Sequence, residues 1–162
     1  MEGERLNDDA VSRHLFDKKL IVADNSTPSG LRLKSKAFNP SLTVADDLGQ
    51  RFIKNNSGVS VTIHKRLNDL ELIAEGAKVL AIRAINTPTQ TFQLVGRAVL
   101  QVDRLNIEAN PLYIIETPQP TLRNHGEIIG WPEPVVSQAD YLELKGILAR
   151  LAAVVVYLQD GV

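Results

Sequence analysis

The sequence predicts an α+β fold, in which a mainly antiparallel sheet carries a short middle helix and an amphipathic C-terminal helix packed on it. Several short segments that alternate in polarity, or that are rich in β-branched residues, indicate strands separated by turns. From residue 138 onward, apolar residues recur at the i, i+3, i+4 and i+7 spacing of an amphipathic helix. A body of strands closed by a helix favours the α+β class.

Length and charge restrict the class of protein. The chain has 162 residues, which predicts a single globular domain with residues 1–10 as a flexible tail. It has 18 basic and 19 acidic residues, so no dominant basic surface for nucleic acid is expected. The absence of cysteine excludes a thiolate nucleophile and a zinc–thiolate site.

The sequence also predicts a cytoplasmic location, without a membrane partner. The N-terminus is polar and acidic, unlike a secretory signal. The longest apolar run, residues 151–158, is far shorter than the roughly 20 residues of a membrane span. The three histidines are 50 and 61 residues apart (His14 to His64 to His125) and fit no local metal-binding motif. We expect neither a metal nor a cofactor.

The first third of the chain predicts two strands and a short helix. Residues 20–23 are apolar and predict a strand that enters the core, and residues 24–30 have the composition of a turn. Residues 31–38 alternate in polarity, which predicts a half-exposed strand or an extended segment. Residues 46–54 predict a short helix that ends at the turn-forming sequence NNSG.

The middle helix follows a β-branched strand at residues 59–67. We predict this helix over residues 68–79. Asn68 can cap it, Glu71 completes a capping box, and Gly76 suits the left-handed position at its C-terminal end.

A hairpin and two further strands are predicted after this helix. Residues 78–85 and 91–103 are apolar segments on either side of a turn, which predicts an antiparallel pair. Gly96 inside the second segment indicates a bulge or the close approach of another backbone. Residues 111–118 and 126–134 predict two short strands flanked by prolines.

The C-terminal helix has a clear start and an unusual end. Ser137 can cap it, and Asp140 lies in its first turn, where the helix dipole favours a negative charge.

The apolar stripe of the C-terminal helix offers more surface than one helix face can bury. Burial on two sides of its own core is one explanation, and packing on a partner protein or a second copy is the other. The candidate interaction surface consists of Leu151, Val154, Val155, Val156 and Leu158.

Five short segments, SRHLF, LKSKAFNP, GVSVTI, RAVLQV and HGEIIGWP, follow one another in this order. In this they resemble a widespread group of small uncharacterised bacterial proteins with an SxAF segment, a later SV strand start and a late HxxIxGWP-like segment. The similarity runs from about residue 12 to about residue 152, and residues 39–58 and 105–120 depart from it. The resemblance implies no particular activity. It singles out these positions: Arg13, His14, Ser35, Ala37, Phe38, Ser60, Val61, His125 and Gly130.

Three polar segments of this set lie far apart along the chain, and each flanks a predicted strand. If they converge at one end of the sheet, they form a pocket for an anion such as a phosphate or a carboxylate, in which a histidine can act as a base. No complete set of nucleophile, base and acid accompanies them. The residues of this candidate pocket are Arg13, His14, Ser35, Lys36 and His125.

A second candidate site is basic. Its cations, together with Phe38 and His64, could share an exposed strand face and bind the backbone and bases of a nucleic acid. We favour the simpler interpretation, in which the charges mark the solvated side of a sheet or protect its edge. The residues are Arg32, Lys34, Lys36, Lys65 and Arg66.

The lack of a recognisable catalytic set favours a small non-enzymatic binding or adaptor protein of a bacterial protein assembly. Its sheet edge and C-terminal helix would contact another protein or a second copy of itself. Two alternatives remain open. One is an enzyme that acts on a nucleotide or nucleic-acid substrate through the Arg/His/Ser pocket. The other is a nucleic-acid-binding accessory protein that uses the basic patch.

Overall fold

An antiparallel sheet of six strands is the centre of the fold. The computed structural model describes residues 4–39, 43–45, 51–53, 58–86, 89, 93–132 and 138–157. The α-helices within these residues are α1 (Asp69–Asn86), α2 (Val102–Glu108) and α3 (Gln138–Leu151). Their strands are β1 (Ala10–Leu15), β2 (Ile21–Ala23), β3 (Leu31–Leu33), β4 (Thr43–Ala45), β5 (Arg51–Ile53), β6 (Val59–Ile63), β7 (Gly96–Gln101), β8 (Tyr113–Glu116), β9 (His125–Ile129) and β10 (Ala153–Val156). Short 3₁₀ helices span Lys18–Leu20 and Ser35–Phe38.

The strand order of the large sheet is β10-β7-β1-β6-β9-β8, and the described pairs in it are antiparallel. The pairs β2–β3 and β4–β5 are separate two-stranded sheets. The helix α3 packs against β7 and against the 3₁₀ helix Ser35–Phe38. The predicted fold class is therefore confirmed: the protein is an α+β protein with a mainly antiparallel sheet and a C-terminal helix packed on it.

One face of the large sheet carries the apolar core. Side chains alternate between the faces of a strand, and the register places Val11 of β1 opposite Ile63 of β6 and Leu100 of β7. All three are fully buried, as are Phe38 of the 3₁₀ helix and Leu148 of α3, which cover them. Burial of each such side chain stabilises the fold by about 1.5–3 kcal/mol.

The opposite face is polar and nevertheless buried. Ser12 lies opposite Thr62, His14 opposite Arg97, and Thr62 opposite His125 across four neighbouring strands. Each of these five residues is at most 7 % exposed. The helix α1 covers this face: its first residue is ion-paired with Arg97, and its interior contacts His14. We call these five residues the polar layer.

The helix α1 is longer than predicted and replaces the first strand of the predicted hairpin. It continues through residues 78–85 to Asn86, so Gly76 lies inside the helix and not at its end. A Cβ atom on Gly76 would lie 2.9 Å from His14 Nδ1, so the glycine allows α1 to approach the sheet. The prediction failed because a short apolar run is compatible with a buried strand and with a helix that is apolar on both sides.

The C-terminal helix is shorter than predicted, because α3 ends at Leu151 and residues 153–156 form the strand β10. The predicted continuation of the helical stripe through Val154 and Val155 is therefore wrong, because residues 153–156 form a strand. Their β-branched side chains favour the strand that pairs with β7.

Several smaller predictions also need correction. Residues 51–53 of the predicted helix 46–54 form a strand, and the remainder of that segment lies outside the described residues. Residues 35–38 turn into a 3₁₀ helix instead of continuing a strand, and residues 102–108 form α2. Residues 4–6 do not extend into solvent as a tail, because Leu6 N donates to Ile114 O and Glu116 N donates to Glu4 O.

None of the helices in the described part of the chain combines the length and the apolar character of a membrane-spanning segment.

Candidate functional site

The predicted Arg/His/Ser pocket is divided between two places in the structure. Arg13, His14 and His125 line the same cavity, which has a volume of about 20 Å³ and lies beneath α1. Ser35 is exposed and lines a different and much larger cavity. Lys36 is also exposed and lines neither of these cavities. The division follows from the sheet, because the 3₁₀ helix with Ser35 and Lys36 packs on the apolar face, opposite the polar layer.

The guanidinium of Arg13 is hydrogen-bonded to backbone oxygens of two other elements. Its Nε donates to the backbone oxygen of Ala37 at 3.1 Å, and its Nη1 donates to the backbone oxygen of Ser60 at 2.9 Å. These two bonds connect β1 to the 3₁₀ helix and to β6. Burial, with a smaller contribution from the positive charge of Arg83, lowers the pKa of Arg13 to about 10, so it stays charged at neutral pH. Two of the donors that an anion would need are therefore already occupied.

His14 and His125 are also held by neighbouring side chains. His14 Nε2 is hydrogen-bonded to Thr62 Oγ1 at 2.8 Å, and His125 Nδ1 lies 2.7 Å from Thr117 Oγ1. Burial, followed by the positive charges of Arg13 and Arg97, lowers the pKa of His14 to about 4. His14 is therefore neutral at physiological pH.

The cavity beneath α1 is too small for a substrate. About 20 Å³ is enough for one water molecule with polar partners. His64 also lies near this face, with its Nε2 2.5 Å from Ser12 Oγ. Even so, no group of three His, Asp or Glu side chains among the described residues could hold a metal ion. The polar layer thus fixes α1 on the sheet, and it offers no space for the predicted anion.

The larger cavity has a volume of about 670 Å³ and lies between the β2–β3 hairpin, the C-terminal half of α3 and the first residues of β10. We call it the α3–β10 groove. Leu33, Leu151 and Val154 supply apolar lining, and Asp24, Arg32 and Arg150 supply charges. This size is in the range of pockets that bind small molecules or peptide side chains, about 300–1,000 Å³.

Two of the charged residues of the groove, Asp24 and Arg32, are paired with each other, whereas Arg150 is not paired in the described part of the chain. Arg32 Nε lies 3.3 Å from Asp24 Oδ2, and both are on the hairpin. Hydrogen bonds from the side chain and backbone of Ser26 lower the pKa of Asp24, so this carboxylate stays ionised. Arg150 is exposed and forms no ion pair within the described residues. The groove therefore presents one uncompensated positive charge.

Gly146 of α3 forms a notch in the wall of the groove. It lies inside the helix, it lines the cavity, and a Cβ atom built on it would have no other atom within 4 Å. A side chain at this position would therefore begin in open space at the wall of the groove.

The groove adjoins an open edge of the large sheet. The strand β10 pairs with β7 on one side, and on the other side no described strand is hydrogen-bonded to it. The opposite edge of the sheet, β8, is covered by residues 4–6. An open edge presents unpaired backbone donors and acceptors that another extended chain can pair with.

Contrary to the prediction from sequence, the residues of the candidate interaction surface do not form one face of a helix. Leu151 and Val154 line the α3–β10 groove, Val156 is 50 % exposed, and Val155 is half-buried. Leu158 lies outside the described residues. The proposed surface is thus the lining and edge of a groove, and it is not one face of a helix.

The basic residues do not share one strand face. Arg32 lies in β3, whereas Lys65 and Arg66 follow β6, which belongs to another sheet. Lys34 and Lys36 are outside the strands, because the chain turns into the 3₁₀ helix there. Arg32 and Lys65 are paired with carboxylates, the latter with Glu116 at 2.8 Å.

Sequence reasoning missed Ser12, Thr62 and Arg97 of the polar layer and Arg150 and Gly146 of the groove. The alternation of Ser60, Thr62 and His64 was a visible signal. It resembled the solvated face of a strand, and only α1 makes this face buried. No local signal marked Gly146, since a glycine within a helix has no characteristic spacing.

No protein-family model, no curated protein and no solved structure matches this chain.

Proposed function

We propose that this chain is a small non-enzymatic binding or adaptor protein of a bacterial protein assembly, acting in the cytoplasm, which holds an extended segment of a partner protein in the α3–β10 groove. The observation that supports this proposal is that a cavity of about 670 Å³ with an apolar floor lies beside the open edge of β10. Extended peptides commonly bind by adding a strand to such an edge, while alternate side chains enter an adjacent pocket.

The lining of the groove suits this type of ligand. Backbone hydrogen bonds to β10 would provide affinity, and the apolar floor formed by Leu33, Leu151 and Val154 would accept an apolar side chain. The uncompensated charge of Arg150 favours a segment that carries an acidic residue beside the apolar one.

The two alternative functions have less structural support. An enzyme that uses the Arg/His/Ser pocket would need a larger cavity than about 20 Å³ and a guanidinium that is not already donating to two backbone oxygens. A nucleic-acid accessory protein would need the basic residues on one surface, and they are dispersed over two sheets and a 3₁₀ helix.

The test begins with peptides selected on the purified protein from a random peptide library, whose affinities are then measured by fluorescence anisotropy. We expect Gly146→Leu to weaken the binding of the selected peptides at least tenfold, because the leucine side chain would occupy part of the groove where Gly146 lines it. Leu142→Ala, an exposed change elsewhere on α3, is the matched control and should leave affinity unchanged. N-methylation of the peptide should weaken binding at every second position, since alternate amides face the edge strand.

Binding that is insensitive to Gly146→Leu, or the failure of the library to yield any binder, would contradict the proposal. A loss of affinity in which Gly146→Leu also lowers the melting temperature would be attributed to unfolding, so thermal denaturation of both variants accompanies the binding data.

A further inference from the structure

Unpaired positive charge surrounds the α3–β10 groove. Arg150 lies in its lining, and Lys34 and Lys36 lie on either side of Ser35, which also lines it. All three cations are exposed, and none of them forms an ion pair with another residue that the structure describes. These charges favour a ligand that carries a negative charge.

The dipole of α3 and the carboxylate of Asp24 do not cancel this positive charge. The C-terminal end of α3 lies at the groove, with Arg150 in its last turn. A helix dipole is equivalent to about half an elementary negative charge at this end, which is less than the charge of Arg150 alone. Asp24 is ion-paired with Arg32, so the two together add no net charge. The groove therefore remains positive.

Ser35 supplies a second donor that the fold does not use. Its hydroxyl forms no hydrogen bond within the described part of the chain. The hydroxyls of Ser26 and Thr27 in the same lining are instead bonded within the β2–β3 hairpin, to Asp24 and Leu31. A carboxylate accepts hydrogen bonds from a guanidinium and from a hydroxyl, and those from a guanidinium are strengthened by its charge. Arg150 and Ser35 thus suit a carboxylate ligand.

The position of the groove along β10 determines which end of a bound strand enters it. Ala153 and Val154, at the start of β10, line the groove, whereas Val156 at its end is not part of the lining. The described pairs of the large sheet are antiparallel, and antiparallel pairing is the more stable kind per residue. A segment that pairs antiparallel with β10 has its C-terminal end beside Ala153, and therefore in the groove.

The walls of the groove suit a chain that ends there. The helix α3 leads into β10 through Ala152 alone, so the helix borders the groove next to the start of the strand. Pro28 and Ser29 of the turn between β2 and β3 also line it. A chain that continued past Ala153 would have to leave between these elements. A chain that ends inside the groove needs no exit and places its terminal carboxylate among the donors.

We propose that the α3–β10 groove binds the free C-terminus of a partner protein, whose last residues pair antiparallel with β10 and whose terminal carboxylate is bound by Arg150. This inference rests on the proposed function and narrows the partner segment to the end of a chain. An apolar side chain near that end contacts Leu151 and Val154, and Ser35 offers the carboxylate a second donor. An acidic side chain inside a longer segment is the alternative ligand.

Two libraries of short random peptides separate these ligands. In one library each peptide has a free C-terminus, and in the other the peptide is followed by a carrier protein. Binders should come from the first. Each selected peptide is then synthesised as the free acid and as the C-terminal amide, and fluorescence anisotropy gives both dissociation constants. Amidation should raise the dissociation constant at least about tenfold, because it removes the charge-assisted hydrogen bonds with Arg150.

A pair of arginine variants assigns this effect to the groove. Arg150→Gln should abolish the difference between the acid and the amide, since glutamine has no charge. Arg123→Gln is the matched control, because Arg123 is also exposed and without an ion pair in the described residues, and it does not line the groove. It should leave the difference unchanged. Thermal denaturation of both variants establishes that the fold is retained.

A nitroxide label on the N-terminus of a selected peptide tests the direction of the bound strand. Antiparallel pairing places the label near the end of β10. The amide NMR resonance of Val156 should therefore be broadened more than that of Ala153.

The results distinguish this inference from the proposed function. Peptides that bind equally well as acid and amide, while Gly146→Leu still weakens them, would overturn the inference and leave the proposed function standing. Stronger broadening of Ala153 than of Val156 would do the same. If neither library yields a binder, both proposals are contradicted.

Discussion

Arg97 Nη2 donates a hydrogen bond to Asp69 Oδ1 at 2.9 Å and so connects β7 to the first residue of α1. The two side chains of this ion pair are in different environments: that of Arg97 is 7 % exposed, and that of Asp69 is 86 % exposed. The guanidinium also donates from Nη1 to the Tyr157 hydroxyl at 3.0 Å and lies over the tyrosine ring. Arg97 therefore connects β7 both to α1 and to Tyr157, whereas Asp69 takes part only in the first of these contacts.

We predict unequal effects for the two members of this pair. Asp69→Ala should lower the free energy of unfolding by less than about 1 kcal/mol, because a solvated carboxylate contributes little to an ion pair. Arg97→Ala should lower it by about 2–3 kcal/mol, since two hydrogen bonds and the packing on Tyr157 are lost. Urea denaturation measures both, and equal losses would show that the pair acts as an ordinary surface salt bridge.

Replacement of Arg13 by lysine should destabilise the protein in spite of the retained charge. A single ammonium group cannot reproduce the two directed bonds to Ala37 O and Ser60 O, so at least one buried carbonyl loses its partner. We expect a loss of about 1–3 kcal/mol in the free energy of unfolding. Arg104→Ala serves as the control, because its ion pair with Glu108 is exposed and should contribute less than about 0.5 kcal/mol.

His14 should make stability depend on pH. Burial lowers the pKa of His14 from 6.5 to about 4 in the folded protein. Between these values the unfolded chain binds a proton that the folded protein does not, so stability is complete above pH 6.5 and decreases as the pH falls towards 4. The full effect is on the order of 3 kcal/mol. His14→Gln cannot titrate and keeps a donor for Thr62, so it should flatten the dependence between pH 6.5 and 5.

Urea denaturation at several pH values measures this effect, and an NMR titration of the imidazole gives the pKa of His14 directly. A resonance of His14 that titrates near pH 6.5 would contradict the buried, neutral state described here.

Two glycines should respond in opposite directions to the same substitution. A Cβ atom on Gly96 would collide with the backbone oxygen of Val155, so Gly96→Ala should separate β10 from β7 and lower stability. A Cβ atom on Gly146 meets nothing within 4 Å, and Gly146→Ala should raise stability by about 0.5–1 kcal/mol because alanine favours the helix. Thermal denaturation of the two variants gives the comparison. A stabilising effect of Gly96→Ala would show that β10 is not packed against β7 as described.

The elements predicted correctly are those in which local pattern and tertiary environment agree. The strand at residues 59–63 is β-branched and central in the sheet, and the start of α1 has the predicted capping box, with Asn68 and Glu71 exchanging backbone and side-chain bonds. The close backbone approach predicted at Gly96 is confirmed by its contact with Val155. In each case a short-range signal was sufficient.

The failures arise where the same local pattern fits two environments. Residues 78–85 are apolar enough for a buried strand, but they belong to a helix whose inner side meets the sheet and whose outer side is exposed. Val154 and Val155 fit the helical stripe of α3 by spacing, but the chain reaches the edge of β7 there and pairs with it. Tertiary contacts decided both: the packing of α1 on the sheet in the first case, and backbone pairing with β7 in the second.

Sequence patterns were also insufficient to decide which residues of the candidate sites lie together. The sequence left open whether the segments of the candidate pocket converge; Arg13, His14 and His125 line one cavity, while Ser35 lies on the other side of the sheet. Sequence order cannot distinguish these outcomes, since the face on which a residue lies depends on strand register and on which helix covers that face.

By itself, the sequence determined the fold class, the helix start at Asn68 and the position of several strands, because capping bonds and β-branched side chains act within a few residues. The tertiary structure alone decided that the polar layer is buried, that the α3–β10 groove lies beside an open sheet edge, and that α1 exposes an apolar face. These features depend on contacts between residues that are far apart along the chain, and such contacts are not encoded by any local pattern.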